Sequence, residues 1–223
     1  MDQRDEQGLR RERQLTQAFG LVLLSILISI FCAVAFGRTD LGGWFVAVSQ
    51  GATLMLTLRV AGVGRRVRVA TVAFVALAIV VAGVALWVGE SDTSRAFDAV
   101  ISGLLVIGAP IAIANGARGH VQVTAQTVLA ALSIYLLAGL FFAFVYGVTA
   151  AIGSGSFYAS GTDGALPDHV YFSFSTLTTA GFGDMTAQGD FGRLASVIEA
   201  LTGQLYLVTV VAVLVGNLRG RRA

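Results

Sequence analysis

The residues best placed to do chemistry in this 223-residue chain form one run, Thr176-Leu177-Thr178-Thr179-Ala180-Gly181-Phe182-Gly183-Asp184, lying in a polar interval between two long apolar segments. No cluster of acids, bases or nucleophiles accompanies it, so the available chemistry is that of the backbone. Glycine adopts backbone angles that would push a Cβ into its neighbours, and Gly181 and Gly183 alternate with Ala180 and Phe182. Such alternation of handedness turns successive carbonyls to the same side. Thr179 to Gly183 would then present a row of oxygens able to stand in for the water shell of a dehydrated cation. At residue frequencies of roughly one in fifteen, the literal pattern T-T-x-G-x-G-D should arise by chance in only about three chains of this length in ten thousand. The plainer reading is a Gly-rich turn between two helices.

Composition decides what surrounds the run. With 56% hydrophobic and only 13% charged residues, and a mean hydropathy of +0.78, the chain is too apolar for a soluble domain. Apolar stretches of about 20 residues, the length that crosses a bilayer, suggest six spans. They are Ala18 to Gly37, Gly43 to Leu58, Val69 to Gly89, Phe97 to Ala114, Thr127 to Ile152 and Leu194 to Leu218, the second being the shortest.

Arginine placement orients these spans, because basic residues near span ends are retained on the cytoplasmic side. All fifteen basic residues are arginine, a usage that fits a GC-rich genome. With both termini inside, twelve fall on cytoplasmic segments: Arg4, Arg10, Arg11, Arg13, Arg59, Arg65, Arg66, Arg68, Arg118, Arg219, Arg221 and Arg222. Arg38, Arg95 and Arg193 are left outside, and the glycine-containing run lies toward the external face. A cleaved secretory signal is the competing reading of the N-terminus, but the apolar run extends to Phe36, long enough to span. Arg10, Arg11 and Arg13 are placed to attract anionic headgroups, or simply to solvate the tail. Cys32 has no second cysteine to pair with.

The approach to the run carries its own signals. A Gly- and Ser-containing external loop runs from Gly153 to Gly164, followed by Pro167 and Asp168, which mark a helix start. His169 to about Leu177 is therefore expected as a short helix dipping into the membrane, its C-terminal end aiming unpaired carbonyls at an ion path. Re-entrant backbone persists at membrane depth only when buried in protein or lining water. One such segment cannot surround an ion, whereas four copies around a closed cyclic axis can.

Val170 to Leu218, beginning VYFSFSTLTTAGFGD and ending LVTVVAVLVGNL, resembles the pore-forming half of the bacterial potassium-channel family. With Thr127 to Ile152 as outer helix, the resemblance covers about 90 residues. It implies an all-α, polytopic membrane protein with six transmembrane helices, a re-entrant pore helix and a selectivity-filter loop, assembled as a homotetramer in the bacterial plasma membrane. It implies potassium-coordinating carbonyls at Thr179, Ala180, Gly181 and Phe182, with the Thr179 hydroxyl at the innermost site and Gly183 closing the outer mouth. Thr178, Asp184 and Tyr171 become filter-supporting residues, Tyr171 meeting the carboxylate of Asp184. The parts are a cytoplasmic tail (1–17), a four-helix domain (18–120), a pore domain (121–218) and a short cytoplasmic tail (219–223). Ala180 replaces the usual valine and Phe182 the usual tyrosine, which removes one phenolic hydrogen bond and puts strictness against sodium in question. Ser175 stands where some relatives carry a second carboxylate, so a different bracing network is expected.

At Gly203, twenty residues beyond Gly183, the resemblance implies a gating hinge, with close helix contact between small residues as an equal alternative. Glu199 is an ionisable group in a span and needs a polar neighbour, either at the interface or behind the filter. Voltage sensing requires several basic residues along the fourth span, and Phe97 to Ala114 has none, so weak or absent voltage sensing is expected. Pro110 should kink that span. With the sequence ending at Ala223, no cytoplasmic ligand-binding domain is expected; His120 and His169 could titrate in the useful range, solvated or capping histidine being the favoured reading of each. The expected function is passive potassium conduction, with no cofactor, no enzymatic activity and no nucleic-acid partner; partners are further copies of the chain and membrane lipid. A weakly selective monovalent cation channel is the alternative. An uptake transporter would carry four such repeats in one chain.

Overall fold

The computed structural model describes residues 3–39, 42–60 and 125–220, with short pieces between 64 and 106. Five helices carry the described architecture: α1 (Gln3–Phe36), α2 (Gly42–Val60), α3 (Ala125–Ile152), α4 (Leu166–Leu177) and α5 (Asp190–Gly220). Three contain stretches long and apolar enough to cross a membrane: Thr16–Phe36, Ala125–Ile152 and Asp190–Val213. The spans expected at Val69 to Gly89 and Phe97 to Ala114 lie largely outside the described residues, as do Pro110 and His120.

Helix α1 starts at Gln3 and runs unbroken into the apolar segment, because the leader is rich in Arg, Gln, Glu and Leu, all good helix formers. Phe19, Val22, Ile26 and Ala33 of α1 pack with Val46, Leu54 and Leu58 of α2 and with Leu137, Leu140 and Phe144 of α3. Polar side chains join the first two helices too: the hydroxyls of Ser29 and Thr53 lie 3.2 Å apart.

Helix α4 is the short element between α3 and α5. It starts three residues earlier than the sequence suggests, with Pro167 in its first turn and the Asp168 carboxylate accepting the Ala165 N–H at 2.8 Å. The second Asp168 oxygen takes Arg38 at 2.6 Å, tying the outer end of α1 to the start of α4. Gly37 makes this approach possible, since a Cβ there would meet the Pro167 ring at 2.9 Å.

The loops on either side of α4 form one aromatic cap. Phe157, Tyr158, Phe172, Tyr146, Ala187 and Ala195 are buried together, and backbone bonds Ala159 N–H to Thr186 O and Gln188 N–H to Phe157 O, both 2.9 Å, pair the loop before α4 with the loop after it. His169 belongs to this cap. It is 4% exposed and 2.9 Å from the Tyr158 hydroxyl, and burial pushes its imidazole down to about 4, so it does not titrate near neutrality as the sequence reading had it. Burial also raises the Tyr158 phenol, so both partners of this bond are uncharged. Because the unfolded histidine takes up a proton below about 6.5, stability conferred by the neutral form is complete above that pH and falls by up to roughly 1.4 kcal/mol per pH unit toward pH 4. Thermal unfolding of the protein in detergent between pH 7.5 and 4.5 should show this decline, and His169→Asn, which keeps an acceptor for Tyr158, should flatten it.

Candidate functional site

The Thr178–Asp184 segment leaves α4 through a set of bonds that use up the last carbonyls of the helix. The Thr178 N–H and hydroxyl both go to Phe174 O, at 3.1 and 2.6 Å. The Thr179 N–H reaches Thr176 O at 2.9 Å, the Gly181 N–H reaches Ser175 O at 3.1 Å, and the Tyr135 hydroxyl of α3 donates to Leu177 O at 3.2 Å. The expected unpaired helix-end carbonyls are therefore occupied, and they anchor the segment that follows.

Beyond this anchor the backbone changes handedness at every second residue. φ is +56° at Thr179, +53° at Gly181 and +81° at Gly183, and these three are the positive-φ residues of the segment. Threonine is a β-branched residue, for which this region is a true outlier costing of order 1–3 kcal/mol. Residues 178–184 are all exposed, and a Cβ on Gly181 would meet nothing within 4 Å. Tyr171 donates to Asp184 Oδ2 at 2.9 Å, and this bond raises the Tyr171 phenol above its ordinary value. The ring of Tyr171 also stacks on Phe182, centroids 5.9 Å apart and 13° from parallel.

Behind the segment, α4 is gripped by both neighbouring long helices. Glu199 of α5 is fully buried, with the Tyr146 hydroxyl donating to one carboxyl oxygen and Ser173 of α4 bonded to the other. Ser173 also lies 2.6 Å from Gly139 O. One hydroxyl proton cannot serve both acceptors, so the set is complete when the Glu199 carboxyl brings a proton of its own. Lower down, Tyr206 of α5 stacks on Tyr135 and donates to Ala131 O at 2.7 Å. Gly203 sits where α5 crosses the end of α4, and a Cβ there would run into the Leu177 carbonyl. Helix α5 is continuous through that point.

Of the residues singled out from the sequence, Thr178 to Asp184 and Tyr171 fall at one site, while Glu199 and Gly203 lie behind it. Tyr146, Ser173, Tyr135, Tyr206 and Gln204 escaped the sequence reading. Glu199 was the one signal toward Tyr146 and Ser173, because a buried carboxyl demands partners.

Two substitutions weigh these contacts. Glu199→Gln, which retains a donor and an acceptor, should change unfolding stability by less than about 1 kcal/mol, whereas Glu199→Ala should cost about 2–4 kcal/mol by removing the buried partner of Tyr146 and emptying its space, Ser173 keeping Gly139 O. In an open helix Gly→Ala stabilises by up to about 1 kcal/mol; at Gly203 thermal unfolding should instead show a loss of about 1–3 kcal/mol, the sign separating close packing from a free hinge.

Residues 124–219 match the family model described as Ion channel. No curated protein and no solved structure matches the chain. The matched stretch contains α3, α4, the Thr178–Asp184 segment and nearly all of α5. The match over 124–219 supports an ion channel family, and the three helices long and apolar enough to cross a membrane accord with it.

Proposed function

We propose that the chain is one subunit of a homotetrameric potassium channel, with Thr179, Ala180, Gly181, Phe182 and Gly183 lining a central passage. The observation that carries this reading is the alternation of handedness at Thr179, Gly181 and Gly183. It orients neighbouring carbonyls together, the arrangement needed to replace the hydration shell of a cation. A second support is the uncovered face of the segment and of α5, where Leu201, Leu205 and Val208 are each more than half exposed. In a fourfold assembly those side chains meet neighbouring copies or lipid, and the carbonyl row meets its equivalents across the axis.

In this reading six spans place both termini in the cytoplasm of a bacterial cell, Arg10, Arg11 and Arg13 face anionic lipid, and potassium flows down its gradient with weak or no voltage dependence. No cofactor or catalytic step is involved, and potassium is only the permeant ion. Tyr171 and Asp184 hold the outer end of the filter in place, and Thr178 its inner end. Gly203 is then a packing position whose close contact any inner-helix motion must respect.

The test is the reversal potential of the purified protein in planar bilayers, with potassium on one side and sodium on the other. The expected value lies near the potassium equilibrium potential, and Gly181→Asp, which forces a side chain onto a left-handed backbone at the carbonyl row, should abolish the current. A reversal near zero would identify a weakly selective cation pore instead, the outcome that a phenylalanine brace without a hydroxyl favours.

A further inference from the structure

Gln204 follows Gly203 on α5 and lies on the same uncovered side as the Thr178–Asp184 segment. Its Nε2 donates to the Thr179 hydroxyl oxygen at 2.6 Å. Nothing in the anchoring of α4 requires this bond: Ser173, Tyr146, Tyr135 and Tyr206 already connect the three helices. An exposed glutamine with a flexible side chain would ordinarily be left in water, because ordering it costs on the order of 1–2 kcal/mol. Its partner is also unusual, being the one non-glycine residue at positive φ among the described residues.

We propose that Gln204 is a specificity-determining residue: its amide fixes the Thr179 hydroxyl and thereby sets the affinity and selectivity of the innermost cation site. The inference rests on the reading of residues 179–183 as the ion path. A threonine hydroxyl has one proton and two lone pairs. With one lone pair held by the Gln204 N–H, the hydroxyl's rotation is restricted to two of its three positions, and one of these turns the remaining lone pair toward an ion below the filter. The same bond helps to hold Thr179 in its left-handed conformation, beside the Thr179 N–H to Thr176 O bond. Gln204 Oε1 stays free to accept from the water shell of an approaching cation, so four copies would form a collar of amides where the ion sheds its last waters.

Barium, a divalent cation close to potassium in size, serves as the probe, applied from the cytoplasmic side to the tetramer in planar bilayers together with a potassium/sodium reversal measurement. Gln204→Ala should weaken barium block about tenfold and lower the potassium-to-sodium permeability ratio by a similar factor, the scale of one lost charge-directed hydrogen bond. Gln204→Asn is one methylene too short to reach Thr179 and should behave like Gln204→Ala; it carries the test if the alanine variant fails to assemble. Gln204→Glu accepts the Thr179 proton and adds negative charge beside the site, so block should strengthen about tenfold or more. In a Thr179→Val background Gln204→Ala should have no further effect. Block and selectivity unchanged within about twofold in both the alanine and asparagine variants would overturn the proposal, as would full rescue by asparagine or an effect that persists undiminished without the Thr179 hydroxyl. Wild-type protein that conducts without cation selectivity would remove the filter reading and this inference with it, an outcome distinct from selective wild-type conduction that is indifferent to residue 204.

Discussion

Everything in the 124–219 region depends on holding a few residues of backbone in a conformation that they would not keep alone. Between Thr178 and Asp184 the chain has no helix and no strand to satisfy its polar groups, and it flips handedness three times, once at a β-branched residue. Such backbone survives at membrane depth only where its surroundings over-determine it. The determinants are unevenly spread. At the inner end, four α4 carbonyls are bonded to Thr178, Thr179, Gly181 and Tyr135. At the outer end, the Tyr171–Asp184 bond and the Tyr171–Phe182 stack do the holding. The middle, at Gly181, is touched by no side chain within reach of a Cβ, and it is the part left for other molecules to meet.

Because the segment is built on the end of α4, the stiffness of its support is the stiffness with which α4 is mounted. The mounting is polar at three heights. Arg38 meets Asp168 at the top, Glu199 joins Ser173 and Tyr146 in the middle, and Tyr135 holds Leu177 O at the bottom. These contacts are not equivalent. The Arg38 guanidinium is 66% exposed, so its ion pair contributes at most about 1 kcal/mol and weakens with salt. The Glu199 set is fully buried, where each bond is electrostatically stronger and an orphaned member costs more. The central contact therefore dominates, and the outer ion pair mainly sets how α1 lies on the start of α4.

Much of this was legible in the sequence, and the limits follow from range. The glycine spacing at 181 and 183, the helix start at Pro167 and Asp168, and the apolar stretches of α1, α3 and α5 are local signals, read within a few residues. Ser173 and Glu199 are 26 residues apart, Tyr146 and Glu199 53, and Ala131 and Tyr206 75. No local pattern encodes which tyrosine meets which acceptor across such distances. The sequence singled out Thr179 but not as a left-handed residue, because threonine is a poor choice for that region and tertiary contacts override the preference. His169 misled for a related reason: a histidine beside a helix start looks solvated until Phe157 and Tyr158 are seen to close over it.

The phenylalanine at 182 acquires a physical meaning from this mounting. A phenol at 182 would offer a hydrogen bond to a neighbouring element; the phenyl ring offers only its faces, one of which stacks on Tyr171 of its own chain. An offset aromatic stack is worth about 0.5–1.5 kcal/mol and tolerates sliding, whereas a hydrogen bond fixes distance and direction. The outer end of the segment is thus held more by the Tyr171–Asp184 bond than by the ring at 182. In the proposed reading, discrimination between ions of different radius requires that the carbonyl row resist contraction. With a slack brace outside and a β-branched, doubly bonded threonine inside, that resistance is greatest at Thr179, and the inner end becomes the place where selectivity is set.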